Sequence, residues 1–203
     1  MAVRPLFVTR IWDAALDDAG LLAALDESCA ALARDDGAGR RWSREQGYGG
    51  YTSYASLDDL PVRDPAFGDL KRWLDRQVAA YAQACFMELG KKLKLDSMWV
   101  NVLAPGAGHS GHVHPHSVVS GTLYVALPTA ASGLRLEDPR LPMMMAAPGR
   151  TADSPEDART FVYLTPAVGT VYLWESWLRH EVPVWTGPKS VGGKRVSISF
   201  NYS

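Results

Sequence analysis

Four of the chain's five histidines lie in the run Gly108-His109-Ser110-Gly111-His112-Val113-His114-Pro115-His116, and the fifth, His180, stands alone downstream. Side chains alternate faces along a strand, so His112 and His114 present both imidazoles to one side. A histidine from a distant strand would complete a facial set of three nitrogens, and open positions opposite them would make the metal catalytic rather than structural. His109 and His116 are the weaker candidates. His116 shares the face only if Pro115 leaves the strand undisturbed, and a surface or supporting role suits it better. The plainest alternative is a solvated histidine-rich loop that takes up adventitious nickel or zinc, which leaves the positions of His180 and Arg195 unexplained.

A metal held by neutral imidazoles keeps its positive charge and favours an anionic chelating ligand. A dicarboxylate that grips the metal at one end needs a partner for its far carboxylate, and guanidinium is planar, bidentate and permanently charged. Arg195 opens the last apolar-polar alternation of the chain, fifteen residues after His180, with Ser197, Ser199 and Asn201 on its face and Val196, Ile198 and Phe200 on the other. On a surface strand such a polar face meets water; in a jelly roll it lines the barrel mouth. Asn101, Thr122 and Tyr124 are placed to point the same way. The order His-x-His, distal His, Arg-x-Ser is the arrangement a 2-oxoglutarate site needs. Trp174, Trp177 and Tyr172 are candidates for the pocket wall, although core packing would use them equally well.

The supporting elements fall into two halves. Leu21 or Leu22, Leu25, Cys29 and Leu32 recur at helical spacing, and this helix is expected to end before Asp35-Asp36-Gly37. A turn-rich stretch, Gly47 to Ser53, follows. A second helix starts at Asp64-Pro65, carries the stripe Phe67, Leu70, Leu74, Val78, Tyr81, Cys85 and Leu89, and is expected to end at Gly90. From Trp99 the pattern changes to short runs rich in Val, Leu, Tyr and Trp between glycines and prolines, which read as strands. The expected strands are Met98 to Leu103, Gly111 to His114, Gly121 to Leu127, Gly133 to Leu136, Thr160 to Leu164, Thr170 to Trp174, Glu181 to Trp185 and Arg195 to Asn201. That series predicts a mainly β, cupin-like double-stranded β-helix, or jelly roll, with the two N-terminal helices packed on one sheet. The segment from Asp138 to Ala158, with Met143-Met144-Met145, is irregular and long for a connection; a lid or substrate loop and a disordered insertion are the two readings.

At 203 residues the chain suits a single domain, with 1–97 as helical support and 98–203 as the catalytic core. A net charge of -1, without long runs of either sign, gives no electrostatic reason to expect nucleic acid or an anionic membrane as partner. No apolar stretch approaches the roughly 20 residues of a membrane span, and Met1 to Pro5 lacks a signal-peptide core, so the expected location is cytoplasmic. Cys29 and Cys85 sit at apolar helical positions and are expected to be buried free thiols.

The segments His112-Val113-His114-Pro115, Ser120-Gly121-Thr122-Leu123-Tyr124-Val125, Asp138-Pro139-Arg140, Ser176-Trp177-Leu178-Arg179-His180-Glu181-Val182-Pro183 and Arg195-Val196-Ser197-Ile198-Ser199-Phe200-Asn201 together resemble a bacterial and phage branch of the 2-oxoglutarate and Fe(II)-dependent oxygenases. The resemblance spans roughly residues 98 to 201. It implies Fe(II) held by His112, His114 and His180, the distal carboxylate of 2-oxoglutarate bound by Arg195 and Ser197, and secondary cosubstrate contacts from Tyr124 and Asn101. It also implies dioxygenase chemistry: molecular oxygen and 2-oxoglutarate are consumed, succinate is formed, and a small-molecule or peptide substrate is oxidised, hydroxylation being the default outcome. The wider superfamily usually has His-x-Asp or His-x-Glu before its distal histidine. Here the second position is His114, so the ligand set loses one negative charge, which bears on iron affinity and redox behaviour. Glu175 stands where the branch more often has proline. Two other readings stay open: a three-histidine cupin-like metalloenzyme that does not use 2-oxoglutarate, with its own carboxylate substrate on Arg195, and a non-catalytic small-molecule binding module. Oligomeric state is equally open, a homodimer included.

Overall fold

In a computed structural model of the chain, which describes residues 2–185 and 193–203, ten strands form two antiparallel sheets. The order of elements is β1 (Trp12–Ala15), α1 (Ala19–Asp35), α2 (Gly37–Glu45), β2 (Gly50–Thr52), α3 (Leu60–Arg63), α4 (Pro65–Ala84), β3 (Leu95–Leu103), β4 (His109–His112), β5 (Val119–Ala126), β6 (Leu134–Glu137), β7 (Phe161–Leu164), β8 (Thr170–Glu175), β9 (His180–Val182) and β10 (Arg195–Tyr202). The six-stranded sheet runs β1-β8-β5-β10-β3-β2 and the four-stranded sheet β4-β9-β6-β7. This is the jelly roll expected from the spacing of the strands, and all eight expected strands are present from β3 to β10. No helix among the described residues is long and apolar enough to cross a membrane.

Two cores divide the molecule, and β10 separates them. Val196, Ile198, Phe200 and Tyr202 face the helices, where they join Leu25, Cys29, Phe67, Leu70, Leu74, Val78 and Tyr81. The opposite face of β10 looks between the sheets, beside the second core of Leu103, Tyr124, Leu134, Leu136, Trp174 and Val182. Burial at about 25 cal/mol per Å² of apolar surface drives both layers together. It also carries Arg195, Ser197 and Asn201 out of bulk water, because alternation gives them no other place to go.

Helix boundaries follow local chemistry. Asp18 caps α1 through its side chain to the Leu21 amide, and Asp64 caps α4 through the Ala66 amide with Pro65 in the first turn. The expected end of α4 at Gly90 is too late. The helix stops at Ala84, Phe86 adopts a left-handed φ of 56°, and Leu89 is exposed rather than part of the buried stripe. Two helices were expected ahead of the β-domain, and α2 and α3 add to them: Asp36, read as a terminator, ends α1 and at once caps α2 through the Gly39 amide. The turn-rich stretch after it contains β2. Cys29 is buried and Cys85 only half-buried; both are free thiols.

Gly121 in β5 marks the tightest packing near the site. A Cβ there would stand 2.5 Å from the Phe200 ring and 2.6 Å from Leu173 Cδ2. Overpacking of this kind costs about 1–3 kcal/mol. Gly121→Ala is therefore expected to lower Tm by several degrees in a thermal melt, and an unchanged Tm would show that both side chains yield freely.

Candidate metal centre

His112 and His180 are cross-strand partners where β4 meets β9, so strand pairing alone puts their imidazoles side by side. His114 lies two residues past β4, where its amide donates to the Ser176 carbonyl and turns the chain toward β5. Imidazole nitrogens of the three histidines all lie within 4.8 Å of one another. Pro115 and a left-handed His116 (φ 70°) follow, and His116 points away into solvent.

Hydrogen bonds decide which nitrogen each ring offers. His112 Nδ1 lies 2.7 Å from the Ser110 carbonyl and His180 Nδ1 2.9 Å from the Leu178 carbonyl. A carbonyl only accepts, so both Nδ1 atoms carry the proton and both Nε2 atoms keep the lone pair. His114 Nδ1 lies 2.6 Å from Asn201 Oδ1 and 2.9 Å from Ser120 Oγ. With Nδ1–H donated to the amide oxygen, His114 Nε2 also presents a lone pair, 3.1 Å from that of His112. Two lone pairs at that distance repel unless a cation lies between them, and two imidazoles binding one metal at about 2.1 Å and a right angle would sit about 3 Å apart. The donor set fits a metal. Burial pushes His180 down to about 3 and holds His114 below the usual histidine range, which keeps both rings neutral and able to ligate near pH 7.

A narrow cavity of about 30 Å³ runs from these rings to Arg195, lined also by Trp99, Asn101, Thr122, Trp174 and Ser197. Arg195 is only 3% exposed. Its Nε donates to the Ser132 carbonyl (2.9 Å) and its Nη1 to Ser197 Oγ (3.1 Å), so the guanidinium folds back along β10 toward the histidines, over the ring of Tyr124. Among the described residues no carboxylate pairs with it. Among the same residues the buried Tyr124 hydroxyl has no hydrogen-bond partner either. An unpaired buried cation beside an orphaned hydroxyl fits an anionic ligand. Asn101 accepts from Tyr48 and Thr52 through Oδ1 and donates one amide hydrogen to Ser199, which leaves one for a ligand.

Six of the seven expected site residues thus line one cavity, and the seventh, Tyr124, lies buried behind Arg195. Of the three aromatics considered for its wall, Trp174 lines it, whereas Tyr172 turns its hydroxyl to the Thr165 carbonyl and Trp177 stands outside, bonded to Glu175. His109, set aside by its spacing, does line the cavity, packed between His112 and the edge of Tyr48. A bulge between His109 and His112 shifts the register and puts two histidines three residues apart on one side. Ser120 and Ser176, which complete the network around His114, stand within the segments that carry the resemblance but were given no role there.

Residues 97–201, which are 105 of the 203, match the family model described as "Putative 2OG-Fe(II) oxygenase". Among solved structures, a prolyl-4-hydroxylase from Pseudomonas putida is similar at a TM-score of 0.58 and 19% identity, over 96% of this chain and 92% of that one. HygX from Streptomyces hygroscopicus, solved with nickel and 2-oxoglutarate bound, gives a TM-score of 0.60 at 13% identity over 97% and 82%. The non-heme alpha ketoglutarate dependent epimerase SnoN from nogalamycin biosynthesis gives 0.60 at 13% over 96% and 78%. At these identities the likeness is one of fold. Nothing among curated proteins matches.

Proposed function

This chain belongs to the 2-oxoglutarate/Fe(II) oxygenases, and from that premise we propose that it is a dioxygenase that oxidises a small-molecule or peptide substrate, by hydroxylation, as 2-oxoglutarate is decarboxylated to succinate. His112, His114 and His180 hold the iron. Arg195 and Ser197 bind the far carboxylate of 2-oxoglutarate, Tyr124 donates its free hydroxyl to the same group, and Asn101 offers its remaining amide hydrogen. The observation that carries this reading is the pairing, in one cavity, of three imidazoles with converging lone pairs and a buried arginine that has no acidic partner among the described residues.

Iron and 2-oxoglutarate, when bound, supply the oxidising chemistry. The chain's share is placement. Three rings on one side confine exchangeable positions to the other, where the cavity opens, and the fixed tautomers spare the site a reorganisation on binding. Neutral ligands leave more positive charge at the metal than a carboxylate set does, which strengthens its hold on an anionic chelator. Arg195 fixes the chelator's direction, and Leu103, Leu134 and Val182 close the cavity's apolar side against water.

The direct test is anaerobic titration of the Fe(II)-loaded protein with 2-oxoglutarate, read by the metal-to-ligand charge-transfer band. Stoichiometric iron with no band would move the assignment to a three-histidine metalloenzyme independent of 2-oxoglutarate, or to a binding module. The Tyr124 hydroxyl gives a finer prediction. A hydrogen bond to a charged group is worth about 1.5–3 kcal/mol, so Tyr124→Phe is expected to weaken 2-oxoglutarate binding roughly 10- to 100-fold, while Tm holds or rises because the orphaned hydroxyl is gone. Equal affinity in the variant would remove Tyr124 from the cosubstrate site.

A further inference from the structure

Two of the three imidazoles are oriented by their own strand neighbourhood: His112 by the Ser110 carbonyl and His180 by the Leu178 carbonyl, each two residues back. His114 is different. Its Nδ1 meets no carbonyl, and its partners are side chains on other strands, Asn201 from the end of β10 and Ser120 from β5. Ser120 Oγ also donates to Asn201 Oδ1 at 2.8 Å and lies 2.7 Å from Ser176 Oγ. The amide is held from behind, since Asn201 Nδ2 donates to Ser97 Oγ at 3.1 Å, which turns Oδ1 toward the imidazole.

That orientation has a consequence for the metal. With the oxygen forward, Nδ1 keeps the proton and Nε2 is free to ligate. With the NH2 forward, Nδ1 would have to accept, and the proton would move to Nε2, the atom that must bind. We propose that Asn201 is the positioning residue of the centre: it selects the ligating tautomer of His114, and as an amide in place of a carboxylate it leaves the three-imidazole set without negative charge. The inference rests on the assignment of His112, His114 and His180 as the metal ligands. It gives β10 a double task, with Arg195 at one end for the anion and Asn201 at the other for the metal.

The test is Co(II) affinity of the full chain, measured by competition with a chelating indicator and by the Co(II) d–d absorption, in wild type, Asn201→Leu, Asn201→Asp and His180→Ala. Partners that orient a ligating histidine typically carry about 10–100-fold in metal affinity. Asn201→Leu is expected to bind Co(II) weaker by that factor with its Tm close to wild type. Asn201→Asp keeps the shape and supplies a stronger acceptor, so it is expected to bind roughly 10-fold tighter than wild type with a shifted d–d band. A purely structural asparagine would not produce opposite changes in the two variants. Wild-type affinity in Asn201→Asp overturns the proposal even if Asn201→Leu fails to fold. Wild type binding no more tightly than His180→Ala would instead overturn the metal assignment on which the proposal stands.

Discussion

His180→Ala is expected to abolish the anaerobic charge-transfer band and to weaken Fe(II) binding by more than about 100-fold, beyond the range seen for residues that merely orient a ligand. The residue is 4% exposed, paired with His112 on the adjacent strand of the four-stranded sheet and packed on Trp174, whereas His109, which also lines the cavity, pairs further along β9 with Val182. The remaining pair, His112 and His114, leaves one side of the metal to water. His116→Ala supplies the control: that ring is exposed, in a left-handed turn, and its loss is expected to change neither iron content nor band. Full iron occupancy and an intact band in His180→Ala would end the three-histidine assignment. Loss of both with a retained far-ultraviolet spectrum would tie them to the imidazole rather than to the fold.

Why so much of this site was legible lies in the period of the strand. Arg195, Ser197, Ser199 and Asn201 alternate with Val196, Ile198 and Phe200, and once both faces of β10 are covered the polar face can only be an interior one. The same period placed His112 beside His114 even though β4 itself ends at His112, because two residues of extended chain preserve the face. Where alternation is broken, reading by period fails. His109 stands at an odd spacing from His112, and the bulge that returns it to the cavity side depends on pairing with Val182 in β9, which no local pattern reveals. Helix α2 was hidden for a related reason: Asp35-Asp36-Gly37 read as the end of a helix, and Gly39, a poor helix former, is needed inside α2 because a Cβ there would collide with Asp36, Ser56 and the Thr52 carbonyl. Strands β1 and β2 are short edge additions whose partners, β8 and β3, lie far away in sequence. Asn201 was placed on the correct face, but its partner, His114, is 87 residues away and became visible only with the register.

Arg195→Leu separates a functional arginine from a structural one, because the two make opposite demands on stability. If the guanidinium were part of the core, its removal would sacrifice the charge-assisted bonds to the Ser132 carbonyl and Ser197 Oγ, together about 3–6 kcal/mol. Burying an unpaired cation costs several kcal/mol, and replacing it with an apolar side chain returns that cost. The two effects are of similar size and opposite sign, so Tm is expected to hold near the wild-type value. The loss should appear in binding. A bidentate, charge-assisted contact to a carboxylate is worth about 3–5 kcal/mol in a site shielded from water, so 2-oxoglutarate affinity should fall at least about 100-fold while Fe(II) affinity stays within about threefold of wild type. Arg195→Lys keeps the charge but loses the planar fork and is expected to fall between the two. A melt combined with the anaerobic titration checks all three. A lower Tm with unchanged 2-oxoglutarate affinity would return Arg195 to the core and leave the cosubstrate's far carboxylate without a partner. Lower affinity with a Tm that holds would mean that the fold keeps a costly buried charge for the anion it binds.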